Sequence, residues 1–221
     1  MLAALTGLEA EARVLRRWGM IAEPSGADPA RAEAIAARLL ADGADGIVSF
    51  GIAGALAPDL APGALLLPRR IVTEAGESYA ADPALRERVA QHLAAMGFAA
   101  DTRDLLGRDE VVATAEEKAS LFRRTGAVAV DLESHAAARA AAHAERSFVA
   151  LRAVADLAGF DLPPAALVGL DRDGRAKIGP VLRELMHKPA QLPALIRLAL
   201  LTRAALRSLS RSASALSRST S

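Results

Sequence analysis

Two stretches of this chain are largely apolar without alternation and end in acids. Residues 127–132 read Ala-Val-Ala-Val-Asp-Leu, with Glu133 next, and residues 148–156 read Phe-Val-Ala-Leu-Arg-Ala-Val-Ala-Asp. A strand with one wet face alternates apolar and polar side chains, whereas a strand covered on both faces need not, so these runs belong inside a sheet layered by helices. In open α/β sheets ligands bind at the C-terminal ends of the strands. Asp131, Glu133 and Asp156 are therefore predicted to share one cleft. Taking a carboxylate out of water at the end of an apolar strand is costly without a partner, which marks these acids as candidates for chemistry rather than surface charge. Asp131 and Glu133 have a second reading: they directly precede a helical pattern at 134–144, and acids there suit the positive end of the helix dipole.

Strand and helix patterns alternate along the rest of the chain. Strand-like runs lie at 2–6, 46–50 and 64–72 besides the two above, and helical patterns rich in Ala, Leu, Arg and Glu lie at 9–17, 29–41, 83–96 and 115–124. Asp28-Pro29 and Asp82-Pro83 place a capping acid before a proline at the first helical turn, which sets two helix starts. The stretch 159–177, with Pro163, Pro164, Gly169 and Gly174 among charged residues, reads as irregular chain over one edge of the domain, either a lid or a plain connection.

At 221 residues and 52% hydrophobic content the chain can bury one sizeable core, so one catalytic domain over 1–179 is expected. It has no cysteine, which excludes disulfides and thiolate metal sites. His92, His135, His143 and His187 show no metal-ligand spacing and read as surface or helix residues, so no metal is expected. The apolar start at 1–7 is short and runs into Glu9 and Glu11, as a first strand does and a secretion signal does not. No run reaches the roughly 18 apolar residues of a spanning helix, and a cytoplasmic location is expected.

The net charge of +1 conceals an asymmetry: residues 180–221 carry seven Lys and Arg against the single acid Glu184. Residues 180–207 read as a basic amphipathic helical extension, split by Pro189 and Pro193. Such a helix can lie at an anionic membrane surface, or pack on the sheet or on a second subunit. The Ser- and Arg-rich stretch 208–221 is expected to be disordered.

The run Ile47-Val48-Ser49-Phe50 leads into Gly51-Ile52-Ala53-Gly54. Two glycines after a strand mark either a tight turn or a close approach of backbone to ligand. No Lys-Ser/Thr follows, nor a dinucleotide fingerprint, so ATP and NAD lose support, and neither a cofactor nor a nucleic-acid partner is expected.

Taken in order, Thr6-Gly7-Leu8-Glu9-Ala10-Glu11-Ala12, Ser25-Gly26, Ser49 to Leu56, Ala129-Val130-Asp131-Leu132-Glu133 and Leu151-Arg152-Ala153-Val154-Ala155-Asp156 resemble the nucleoside phosphorylase and nucleosidase superfamily over residues 1–160. The resemblance implies an α/β fold with three αβα layers and a central mixed sheet. Asp-Leu-Glu-Ser-His at 131–135, together with the basic apolar tail, looks most like the hopanoid-biosynthesis-associated branch, whose implied substrate is adenosylhopane. The resemblance also implies roles. Asp156 matches the aspartate that protonates the purine at N7, Glu133 the glutamate that binds the ribose 2′ and 3′ hydroxyls, Glu11 the acid that activates water, and Arg152 a residue near that water. Asp131, Leu132, Gly51, Ile52, Ala53, Gly54, Val111 and Val112 are the remaining candidates for substrate contact.

These roles agree with elementary chemistry. Adenine leaves poorly unless protonated, and a carboxylic acid at the base supplies general-acid assistance of about 10² to 10⁴. The sugar left behind resembles an oxocarbenium ion, which carboxylates on its hydroxyls stabilise as charge develops. Three clustered acids repel, so at least one has a raised pKa, and Asp156 is the one that must carry a proton.

Departures from the family pattern sharpen the expectation. Ser49 and Ile52 stand where phosphorylases carry an arginine and a serine that hold phosphate, and the 19–24 stretch is too short for the extra strand pair of many relatives. Water is therefore the expected nucleophile, because desolvating phosphate without cationic partners is expensive. Ala155 replaces a serine that steadies the aspartate, so backbone amides are expected to orient Asp156. No aromatic marks the base site, leaving Val111 and Val112 as an aliphatic surface. The alternatives are phosphorolysis to phosphoribosylhopane, a methylthioadenosine/S-adenosylhomocysteine nucleosidase, or a non-catalytic binder of nucleosides or lipids. A homodimer with peripheral contact to the inner membrane completes the expectation.

Overall fold

The structure, a computed structural model, describes residues 1–168 and 178–219. Its elements are β1 (Leu2–Thr6), α1 (Glu9–Arg16), β2 (Ile21–Pro24), α2 (Pro29–Ala41), β3 (Gly46–Ala55), β4 (Leu65–Leu66), β5 (Arg70–Val72), β6 (Ser78–Ala80), α3 (Pro83–Ala95), β7 (Ala100–Asp101), β8 (Leu105–Gly107), α4 (Ala115–Thr125), β9 (Ala129–Asp131), α5 (Ser134–His143), β10 (Ser147–Asp156), α6 (Pro164–Leu167), α7 (Ile178–His187), a 3-10 turn (Pro189–Gln191) and α8 (Leu192–Arg218).

The two longest strands form the centre. β3 and β10 run parallel from Gly46 opposite Ser147 to Gly54 opposite Asp156, with a register slip between Val154 and Asp156. The other edge of β3 pairs first with β1 in parallel and then, at Gly54 and Ala55, with β9 antiparallel. One mixed ten-stranded sheet results, running β6-β5-β8-β9-β3-β10-β4-β7 with β1 and β2 branching from β3. One face packs against Ile35, Ala36 and Leu39 of α2 and the alanines of α5. The other packs against Leu15 of α1, Leu85, Val89 and Leu93 of α3, and Leu209 and Leu216 of α8. Three αβα layers around a mixed sheet are thus present. β10 is buried from Phe148 onward, as its apolar run, interrupted only by Arg152, predicts.

The local punctuation holds. Asp28 accepts from Arg31 N at 3.1 Å and Asp82 from Leu85 N at 2.8 Å, each before a proline in the first turn. Other expectations are corrected. The first strand signal at 46–50 extends through both glycines to Ala55, so Gly51 and Gly54 belong to a ladder and not to a turn. The single strand expected at 64–72 divides into β4 and β5, which pair with different neighbours. The short strands β2, β6, β7 and β8 carry too few residues for a period to register. Of the irregular segment expected at 159–177, residues 164–167 form α6; the part at 169–177 lies outside the described residues.

The largest correction concerns the tail. Residues 208–218 are not disordered: they continue α8, whose Ala205, Leu209, Ala213 and Leu216 recur every three or four residues and are wholly buried. Burying each leucine stabilises by about 1.5–3 kcal/mol, which disorder would forfeit. Small Ser and Ala side chains let the helix approach closely, and Ser217 Oγ donates to the Trp18 carbonyl at 3.1 Å. A boundary at 207/208 therefore falls inside one helix. The histidines are also not all superficial, since His135 is buried with Nε2 3.0 Å from Asp109 Oδ1. Among the described residues no helix is long and apolar enough to cross a membrane.

Candidate active site

Beside the last residues of β3 and β10, where the short antiparallel β9 pairs with β3, lies a cavity of about 280 Å³. Glu11, Asp131, Glu133, Arg152 and Asp156 all line it, together with Leu132, Ile52, Ala53, Gly54, Val111 and Val112. Of the residues singled out from the sequence only Gly51 does not line it, lying buried beneath. No aromatic side chain lines the cavity among the described residues. Leu162 joins Val111 and Val112, while Leu167 of α6 and Leu198 and Thr202 of α8 close a further side.

Each acid is held differently. Glu11 sits in the first turn of α1, where Oε2 accepts from Leu8 N at 2.8 Å, and Oε1 reaches across to Ile52 N at 2.9 Å. Both oxygens are thereby fixed to backbone. Asp131 and Glu133 share Arg152: its Nη2 forms an ion pair with Asp131 and stands 3.4 Å from Glu133 Oε2. The same nitrogen donates to Ser49 Oγ at 2.7 Å and Ser134 Oγ at 3.0 Å. Ser49 thus sits behind the arginine rather than in the cavity. Glu133 precedes α5 without capping it through its side chain, whereas Asp131 Oδ1 accepts from Ser134 N at 3.2 Å, so of the two acids it is Asp131 whose carboxylate starts the helix.

Glycines make room for these groups. A Cβ on Gly7 would stand 2.5 Å from Glu133 Oε1, one on Gly54 2.7 Å from Asp156 Oδ1, and one on Gly51 2.8 Å from Glu11 Oε2 while striking the Arg152 guanidinium. Any side chain at these three positions would displace an acid. The glycines of β3 therefore serve the protein's own carboxylates at least as directly as a ligand.

The electrostatics follow from burial. Glu133 is pushed up to about 8 by desolvation, with Arg152 opposing and the Asp131 and Glu11 charges adding to the rise. Glu11 is raised by burial against the pull of Arg152 and its amide donors. Asp156 is also raised by burial, and Lys118 opposes the shift.

Lys118 is the residue that sequence reasoning missed. It is wholly buried on α4, its Nζ pairs with Asp156, and it donates to the carbonyls of Leu157 at 3.0 Å and Phe160 at 2.8 Å. Asp156 is thus oriented by an ammonium group and not by backbone amides. A signal existed: Lys118 lies three residues before buried Leu121, on the apolar face of α4, while its neighbours Glu116 and Glu117 make it look like part of a solvated charge run.

From residue 15 to residue 179 the sequence matches the profile of the phosphorylase superfamily. The chain belongs to this superfamily. Among solved structures, 5′-methylthioadenosine/S-adenosylhomocysteine nucleosidase from Neisseria meningitidis, in complex with methylthio-immucillin-A, is similar with a TM-score of 0.75 at 18% identity, over 100% of this chain and 99% of that one. The corresponding Helicobacter pylori nucleosidase with butyl-thio-DADMe-immucillin-A gives 0.70 at 16%, over 99% and 97%. Futalosine hydrolase of Helicobacter pylori strain 26695 gives 0.66 at 17%, over 72% and 85%. At these identities the likeness concerns the fold. No curated protein matches the chain by sequence.

Among the described residues Arg152 is the only cation lining the cavity, where it meets Asp131 and Glu133 and lies near Glu11, while the fourth carboxylate, Asp156, pairs with Lys118.

Proposed function

We propose that this protein is a purine nucleosidase that cleaves the adenine N-glycosidic bond of a nucleoside bearing an apolar 5′ substituent, with water as nucleophile. The observation that carries the reading is the surplus of carboxylates over cations in the cavity. A dianion such as phosphate would find there, among the described residues, only Arg152, already engaged by Asp131, Glu133, Ser49 and Ser134, whereas a sugar acquiring positive charge at C1′ would be stabilised by the carboxylate oxygens. Asp156 gives a proton to N7, and the electron pair of the C1′–N9 bond leaves with the base. Glu133 accepts hydrogen bonds from the ribose hydroxyls. Glu11 takes the proton of the attacking water, beside Arg152.

The apolar substituent is supported by α6 and α8. Leu167 both lines the cavity and is about half exposed, and Leu182, Met186, Leu192, Ile196 and Leu200 of the last helices are exposed as well. In this reading Leu167 and Leu198 begin an aliphatic path for the 5′ substituent toward the exposed face of the last helices, which also carry Arg183, Lys188 and Arg197. A polycyclic lipid nucleoside fits this path, and adenosylhopane, yielding ribosylhopane and adenine, is the substrate we assign. The basic apolar surface would meet an anionic membrane in which such a substrate resides.

The test is adenine release from adenosylhopane and from methylthioadenosine, with and without phosphate. Release from both without phosphate, with preference for the lipid nucleoside, supports the reading; a ribose-1-phosphate product overturns water as nucleophile, and preference for methylthioadenosine overturns the lipid. Replacing Leu182, Met186 and Ile196 by serine is expected to leave methylthioadenosine turnover unchanged and to weaken binding to vesicles with anionic lipid, measured by co-sedimentation.

A further inference from the structure

Lys118 is a fully buried cation that none of the cleavage steps above employs. Its three ammonium hydrogens have three acceptors: Asp156 Oδ2 and the carbonyl oxygens of Leu157 and Phe160. A fully engaged ammonium has no lone pair, so it is neither base nor nucleophile. Its placement instead divides the two oxygens of Asp156. Oδ2 is bound to Lys118, while Oδ1 lies over Gly54, a residue of the cavity wall, in space that a Cβ there would fill. The preceding residue, Ala155, offers no hydrogen bond that could do the same work. The chain around the pair is tied down too, because Asp161 Oδ1 accepts from Ala115 N at 2.7 Å and Leu162 N donates to Ala113 O at 2.8 Å.

We infer that Lys118 is the positioning residue of the general acid: it pins Oδ2 so that Oδ1 is the single proton-donating position, and it neutralises the carboxylate that forms when purine N7 takes the proton. The inference rests on the nucleosidase reading. The proton moves from Oδ1 to N7, the C1′–N9 electron pair goes to the departing base, and Lys118 keeps all its protons throughout. The new carboxylate then lies beside an ammonium group rather than alone in a dry wall, where an unpaired charge is strongly disfavoured. The charged group acting on Asp156 is Lys118, from α4.

The experiment compares wild type, K118M and K118R on methylthioadenosine and on 4-nitrophenyl ribofuranoside, whose phenolate departs without a proton. For K118M we expect kcat on methylthioadenosine to fall about 10²- to 10³-fold, the scale of general-acid assistance, with KM little changed. The nitrophenyl riboside should be cleaved within a few-fold of wild type, and K118R should recover part of the loss. Equal losses on both substrates, or no loss on methylthioadenosine, overturn the role of Lys118. If K118M does not fold, K118R decides: its displaced cation must slow the adenine nucleoside more than the nitrophenyl riboside, and equal slowing overturns the inference. A readout independent of turnover is the carboxyl ¹³C titration of Asp156, which should move to higher pH in K118M because a cation that favours the ionised form is gone; an unmoved titration also overturns it. Absence of adenine release by the wild type overturns the nucleosidase reading itself and Lys118's role with it, whereas release without discrimination in the variants overturns only the latter.

Discussion

Two buried cations hold the acids of this cavity in different ratios. Arg152 meets Asp131 and Glu133 and lies close to Glu11 across Gly51, whereas Lys118 meets Asp156 alone. Burial raises the carboxyls of both clusters, Glu133 to about 8 and Glu11 and Asp156 with it; in the first cluster one cation serves three acids, and the Asp131 and Glu11 charges add to the rise at Glu133. The second is matched one to one. The difference separates two tasks that one site must perform: an under-compensated cluster favours a sugar that becomes cationic, and a balanced pair lets an acid part with its proton without leaving a lone buried anion.

The largest effect tests the balanced pair. Asp156→Asn is expected to lower adenine release by at least about 10³-fold while circular dichroism stays native, since general-acid assistance of that order is lost; near-normal turnover would remove Asp156 from the chemistry. The arginine cluster is tested by stability. Removing one partner of a buried ion pair costs about 3–5 kcal/mol, and Arg152→Met should lower the thermal midpoint accordingly. The drop should be smaller at pH 5 than at pH 9, because protonated acids need no cation. An equal drop at both would break the contrast between the clusters.

Next come the glycines. Gly54→Ala places a methyl group 2.7 Å from Asp156 Oδ1, and Gly7→Ala one 2.5 Å from Glu133 Oε1. Each should destabilise by about 1–3 kcal/mol, as overpacking does, in chemical denaturation. The smallest effect is a slope. Glu133 has an ordinary value of 4.5 and is pushed up to about 8 in the fold, so between these values the folded chain holds more protons than the unfolded one. Stability should fall as pH rises through that window. Glu133→Gln should flatten that fall, and an unchanged slope would mean that Glu133 does not titrate there.

Much of the scaffold could be read locally. The apolar runs of β3 and β10, interrupted only by Ser49 and Arg152, and the Asp-Pro starts of α2 and α3 are contained in a few adjacent residues, and they survive in the structure. The acids at the ends of β9 and β10 were legible because a charge closing an apolar run is conspicuous. Lys118 was not, since its partner lies 38 residues away and its own neighbours are acids. The tail was misread because Ser and Arg mark a polar, disordered composition when counted, yet the small Ser and Ala side chains suit close helix packing when Leu209, Ala213 and Leu216 supply a stripe.

By itself the sequence determined the long central strands and the helices α1 to α5, that the sheet is covered on both faces, and that acids stand at the ends of β9 and β10. These depend on dihedral preferences, hydrophobic periodicity and capping, all of which act within a few residues. Only the tertiary structure decided which cation each acid meets, how the register slip before Asp156 sets its carboxylate beside Gly54, and that the last helix closes the cavity with Leu198 and Thr202. The reason is that burial and ion pairing depend on distances through space, and such distances exist only once remote parts of the chain have packed together.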